Sequence, residues 1–149
     1  MPAATPQTPS CDTGYTLFQT NCYIVVKTAA TYDQAQADCV AMGGNLASIH
    51  STAENDFIVS ITMSGTAMGY LGQTWVGGMA NPAGSGMFGW ADGSAFNFIN
   101  WAMNQPDNSG DCMLFFSDEL TGMAGTQGQW DDVTCDTVEP QYVCEKPMN

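Results

Sequence analysis

The chain has 149 residues, 44% of them hydrophobic and 11% aromatic, which suffices for one core of ordinary domain size. Charged residues are scarce at 11%, and 15 acids face only two bases, Lys27 and Lys146, for a formal net charge of -13. Nucleic acids and anionic lipid surfaces both demand clustered Lys and Arg, so neither fits as a partner, and no apolar run reaches the ~18 residues of a membrane span.

Met1 to Ser10 is rich in Pro, Thr and Ala and lacks the positive start and apolar stretch of a secretory signal. It reads as a spacer (1–10) ahead of a domain over 11–149, with Met1 standing where a leader has been removed. Tyr15-Thr-Leu-Phe18 and Cys22-Tyr-Ile-Val-Val26 flank a polar turn and predict a β-hairpin. Thr31-Tyr-Asp-Gln34 is a capping-box pattern that opens a helix to about Met42, and Gly43-Gly44 ends it. A second box, Ser51-Thr-Ala-Glu54, starts a helix to about Met63 with Phe57, Ile58 and Ile61 as its apolar stripe. From Gly65 to about Asn108 the helical period vanishes. This segment predicts a long ordered loop region with short strands at Thr74–Val76 and Met87–Phe88, and irregular stretches of that length usually serve function. Cys112–Phe116 then reads as a buried strand, Gly122–Gln129 as a glycine-rich turn, and Gln141–Cys144 as a last strand.

The six cysteines, Cys11, Cys22, Cys39, Cys112, Cys135 and Cys144, lack the close spacing of zinc sites. An even number in a small chain predicts three disulfides and an oxidising, extracellular setting, with the pairing left open by spacing alone. Nothing matches HExxH, GxSxG or a phosphate loop. His50 is the only histidine, and oxidised cysteines leave no nucleophile–base pair, so the chain reads as a non-enzyme.

Two tripeptides stand out, Gln105-Pro106-Asp107 and Trp130-Asp131-Asp132, each a few residues ahead of a cysteine. With the six cysteines, Cys22-Tyr23, the run Gly43 to Ile49, Glu54, Trp75-Val-Gly-Gly78, Phe88 to Ser94, Asn100-Trp101 and Val143 to Lys146, they resemble the long form of the C-type lectin domain, specifically its Gln-Pro-Asp, galactose-type subclass. The resemblance runs from Cys11 to Lys146. It implies an α+β C-type lectin fold, with two helices beside small antiparallel sheets and a long ligand-binding loop region. It also implies the disulfides Cys11–Cys22, Cys39–Cys144 and Cys112–Cys135.

The resemblance further implies calcium (Ca2+), a hard cation that takes 6–8 oxygen ligands. Gln105 would offer an amide oxygen, Asp107 and Asp131 carboxylates, and Asp132 both a carboxylate and its backbone oxygen. Pro106 would follow a cis peptide. Gly110 stands where such domains usually place a glutamate, which makes Asp111 the candidate for a further ligand. Asp131 stands where the family has asparagine. The same four residues, Gln105, Asp107, Asp131 and Asp132, would hydrogen-bond a sugar. Met79–Gly86 contains no acid, so one primary ion is expected.

By the same likeness Trp75, Trp90, Trp101 and Trp130 belong to the core. Loop 108–110 carries no aromatic ring, which leaves Phe96 or Phe98 to face a sugar. The expectation is a secreted domain that binds galactose or N-acetylgalactosamine glycans, with self-association into a homo-oligomer left open. A lectin-like module that binds a protein or ice is the rival.

Overall fold

The computed structural model describes residues 8–149, so most of the spacer expected over 1–10 lies outside the described residues. Strands β1 (Thr16–Phe18) and β2 (Asn21–Val26) form the expected hairpin. Helix α1 (Tyr32–Ala41) starts where both capping-box bonds exist: the Thr31 hydroxyl accepts from the Gln34 N–H, and the Gln34 amide oxygen accepts from the Thr31 N–H. It stops at a Schellman turn. The Gly44 N–H reaches the Cys39 carbonyl and the Gly43 N–H the Val40 carbonyl, and Gly43 takes the left-handed φ of 93° that a side chain would resist. Helix α2 (Thr52–Thr62) is capped by Ser51, whose hydroxyl accepts from the Glu54 N–H. Here the Glu54 carboxylate reaches one residue further back, to the His50 N–H at 3.2 Å.

After β3 (Asn45–Leu46) come β4 (Thr74–Ala80), β5 (Phe88–Trp90), β6 (Cys112–Phe115), β7 (Trp130–Val133) and β8 (Gln141–Pro147). They join one sheet in the order β1-β2-β8-β4-β6-β7, with β3 on β8 and β5 on β4. The sheet is mixed where separate antiparallel sheets were expected. β4 and β8 run parallel, joined only at Thr74–Gln141 and Trp75–Tyr142. A contact of two residues between segments so far apart in sequence leaves no periodic trace. The expected strand at Thr74–Val76 extends to Ala80, and β7 appears where the sequence had suggested only a ligand motif.

Strand alternation splits the interior into two clusters. Trp75, Leu114, Tyr142 and Cys144 face α1 through Tyr32, Ala35 and Cys39. Their neighbours Val76, Met113, Phe115 and Val143 join Ile58 of α2 and the loop aromatics around Trp130. The three disulfides are those implied by the resemblance, Cys11–Cys22, Cys39–Cys144 and Cys112–Cys135. Near the chain ends, Lys146 pairs with Asp12 and lies 4.5 Å above the Tyr15 ring, while the Asn149 N–H donates to the Ser10 carbonyl at 2.9 Å.

Two acids lie deep in this frame. Glu139 is fully buried; one of its oxygens accepts the Gln73 N–H at 3.1 Å and the other has no partner, so burial pushes its carboxyl up to about 7. Glu145 accepts the Ser48 N–H at 3.0 Å and is likewise pushed up to about 7, chiefly by burial.

Candidate functional site

Trp130 anchors the site. Its indole N–H donates to the Asn55 amide oxygen at 2.9 Å, and four rings, Trp90, Phe96, Phe98 and Trp101, pack around it with centroids 5.6–6.2 Å away. Asn55 and Asn100 both donate to the Gly128 carbonyl, which fixes the approach to β7. The Trp130 backbone then binds the irregular segment that leads to Gln105. Its N–H meets the Asn100 carbonyl and its carbonyl the Ala102 N–H, and the Ala102 carbonyl accepts from the Gln105 N–H. Thus the two tripeptides are held side by side by backbone bonds.

The Gln105–Pro106 peptide is cis. Asp107, Asp131 and Asp132 each place a carboxylate oxygen within 4.8 Å of the others. Asp132 is fully buried and organises the loop: its two oxygens accept the N–H groups of Asp107 (3.1 Å) and Gly110 (3.3 Å), and its carbonyl accepts from the Ser109 hydroxyl. The Gln105 amide oxygen also accepts the Asp107 N–H, at 3.2 Å. Asp107 is exposed, and hydrogen bonds from Ser109 hold its carboxyl below the ordinary value. Asp131 is the opposite case. It is 95% buried, one of its oxygens has no hydrogen-bond partner, and burial together with the Asp132 charge pushes its carboxyl up to about 7.

Buried polar atoms are nearly always satisfied, and a positive partner would satisfy the orphan oxygen inside this carboxylate triad. All the donors are oxygen, as a hard divalent cation prefers. The residues present therefore fit calcium.

Asp111 is not brought into this group. Its carboxylate instead accepts the Gly84 N–H at 3.0 Å. Gly110 explains why no side chain fills the gap. A Cβ there would lie 2.0–2.4 Å from backbone atoms of Val133 and Thr134, so the loop touches β7 backbone to backbone. Gly110→Ala is expected to pry the loop from β7, lowering stability by about 1–3 kcal/mol. A calcium-free melting curve indistinguishable from wild type would contradict that packing.

Phe96 and Phe98, the rings expected to face a sugar, pack edge-on against Trp130. His50 bridges α2 to the loop after β5, with ring nitrogens 3.3 Å from Glu54 and 2.8 Å from the Ser94 hydroxyl. It borders a cavity of about 450 Å3 lined also by Ser48, Asp92 and Glu145. Asn55 is a positioning residue that sequence reasoning missed: it stands beside Glu54 in the first turn of α2, and its bonds to Gly128 and Trp130 leave no local signal.

Residues 28–146 match the family model for the lectin C-type domain. The chain is 34% identical over 140 residues to ladderlectin of Oncorhynchus mykiss, covering 91% of this chain and 68% of that protein. It is 36% identical over 137 residues to the alpha-N-acetylgalactosamine-specific lectin of Patiria pectinifera, covering 88% and 77% respectively. Among solved structures it is similar to a calcium-independent type II antifreeze protein, with a TM-score of 0.78, 32% identity, and coverage of 96% of this chain and 98% of that one.

Proposed function

The chain belongs to the C-type lectin domain family, and from that premise we propose that it is a secreted domain binding galactose-type glycans through calcium held by Gln105, Asp107, Asp131 and Asp132. The observation that carries the reading is the unpartnered, buried Asp131 oxygen inside the three-carboxylate group. Calcium bound there would supply a Lewis-acidic centre for two neighbouring sugar hydroxyls. The protein's part is to orient those hydroxyls. The Gln105 amide N–H2 would donate a hydrogen bond to one hydroxyl oxygen, and the carboxylates of Asp107, Asp131 and Asp132 would accept hydrogen bonds from the sugar hydroxyls. With the amide at 105 and the carboxylate at 107, the donor and acceptor follow the order that the resemblance associates with galactose rather than mannose. The relative named as specific for alpha-N-acetylgalactosamine supports the same class. Three disulfides support an extracellular setting, and no helix among the described residues is long and apolar enough to cross a membrane.

Retention on galactose-agarose in calcium, release by EDTA and poor retention on mannose-agarose are the expected results. Because a polar group facing the wrong partner costs about 1–3 kcal/mol, the double change Gln105→Glu, Asp107→Asn should shift preference toward mannose by at least about tenfold. Asp131→Asn should strengthen galactose binding by restoring a second amide donor. A calcium-loaded protein that ignores galactose and N-acetylgalactosamine would reject this specificity.

The likeness to an antifreeze protein favours one second reading, in which the loop surface binds ice. Thermal hysteresis without galactose retention would select it.

A further inference from the structure

We propose that the turn between β4 and β5 is the element that positions loop 107–110 for calcium, and that Asn108 and Asp111 act through this turn as positioning residues, not as ligands of the ion. This rests on the calcium reading above and adds to it what holds the loop while the ion binds.

Loop 107–110 has two supports. The first is β7, where the Asp132 carboxylate accepts the Asp107 and Gly110 N–H groups and the Asp132 carbonyl accepts from the Ser109 hydroxyl. The second is the β4–β5 turn, and its contact has two prongs on one residue. The Gly84 N–H donates to the Asp111 carboxylate at 3.0 Å, and the Gly84 carbonyl accepts from the Asn108 side-chain amide at 3.2 Å. Gly84 thus grips the chain just before and just after Ser109-Gly110.

A grip positions only if it is itself held. The Asn81 N–H donates to the Met87 carbonyl at 2.8 Å, the Ser85 N–H to the Pro82 carbonyl at 3.1 Å, and the Met87 N–H to the Ser85 hydroxyl at 3.1 Å. The turn is also rooted in the sheet. The Ala80 N–H donates to the Asp111 carbonyl at 2.7 Å, next to the pairing of Met79 with Cys112.

The two supports differ in what the ion does to them. Oxygens of Asp132 belong to the proposed ligand set, so a cation there competes with the loop N–H groups for the same lone pairs. The Gly84 bonds use no proposed ligand atom and persist through binding. They keep exposed Asp107, whose carboxylate accepts the Ser109 N–H at 3.0 Å, in place beside Asp131 and Asp132. Ordering the loop in advance removes an entropic cost from the binding step. What Gly84 requires of Asp111 is an acceptor oxygen, and of Asn108 a donor; neither role requires a charge.

The test titrates calcium calorimetrically into the calcium-free chain and its variants, with a cooperative calcium-free melting transition as the check that each is folded. Asp111→Ala should weaken calcium binding about tenfold, whereas Asp111→Asn, which keeps an acceptor for the Gly84 N–H and loses the charge, should stay within about threefold of wild type. Asn108→Gly makes the same comparison at an exposed residue: it suits the left-handed φ of 63°, deletes the amide donor, and should weaken binding by about three- to tenfold. Wild-type affinity in Asp111→Ala or in Asn108→Gly would overturn the proposal and leave the calcium reading intact. Equal weakening in Asp111→Asn and Asp111→Ala would overturn it too, by making the Asp111 charge a ligand of the ion. A wild-type chain that binds no calcium would overturn both readings together.

Discussion

Asp131→Ala is expected to raise the melting temperature of the calcium-free protein, Asp132→Ala to lower it, and both to abolish the response to calcium. The two acids are neighbours in sequence and both are buried, yet they do opposite work in the absence of the ion. Asp132 accepts the Asp107 and Gly110 N–H groups, and its removal strips buried loop donors of their acceptor. Each such loss costs about 1–3 kcal/mol, and each kcal/mol moves the melting temperature by roughly 2–4 °C in a domain of this size. Asp131 keeps one oxygen without a partner beside a second carboxylate, so its removal relieves desolvation and repulsion. Calcium at a hundredfold over its dissociation constant stabilises the native state by about 2.7 kcal/mol. Wild type should therefore gain several degrees in calcium, and both variants should gain nothing. Thermal unfolding in calcium and in EDTA checks both signs. A destabilised, still calcium-responsive Asp131→Ala would refute the assignment.

Glu139→Gln should stabilise the protein at pH 8 and leave it unchanged near pH 4, with a crossover between. Burial raises the Glu139 carboxyl from 4.5 to about 7, so the folded state holds its proton more tightly than the unfolded state does. The favourable contribution is complete below pH 4.5 and is lost as pH rises to about 7. Glu145 shifts in the same direction over the same range. Calcium-free protein should accordingly be more stable in mild acid than at pH 8, the reverse of ordinary acid denaturation. Glutamine keeps an acceptor for the Gln73 N–H without the charge. The variant should gain about 2 kcal/mol at pH 8, or roughly 4–8 °C. Melting curves from pH 4 to 8 measure this, and a wild-type curve rising monotonically with pH would count against it.

Both helices were legible in the sequence because their starts are local chemistry: Thr31 with Gln34, and Ser51 with Glu54, declare a cap within four residues. The hairpin and the disulfide frame were legible for a similar reason, the latter through family likeness. The parallel contact of β4 with β8 was not, because it joins Thr74 to Gln141 through two residues. β7 escaped notice because Asp131 and Asp132 are poor strand formers that tertiary contacts hold in the ladder. At the site, Gln105, Asp107, Asp131 and Asp132 could be named from two tripeptides, and the structure brings their segments together. Asp111 could not be placed correctly from its number alone. Its direction depends on Gly110 lying flat against Val133, a contact between backbones. Asn55 was invisible for the same kind of reason, since its partners Gly128 and Trp130 lie 73 and 75 residues away along the chain.

The clasp of Asp12 with Lys146, and of Ser10 with Asn149, has a practical reach. It gathers both ends of the described chain at the β1–β2–β8 edge, and β7 forms the opposite edge of the strand order. A biotin or a tether fixed near Asn149 would hold the molecule by its back and leave the carboxylates facing outward. Many copies mounted this way on one bead would present their sites in a common orientation. Weak individual contacts with a glycan-coated surface would then add up, raising apparent affinity by about 10²–10⁴ when spacing matches the target.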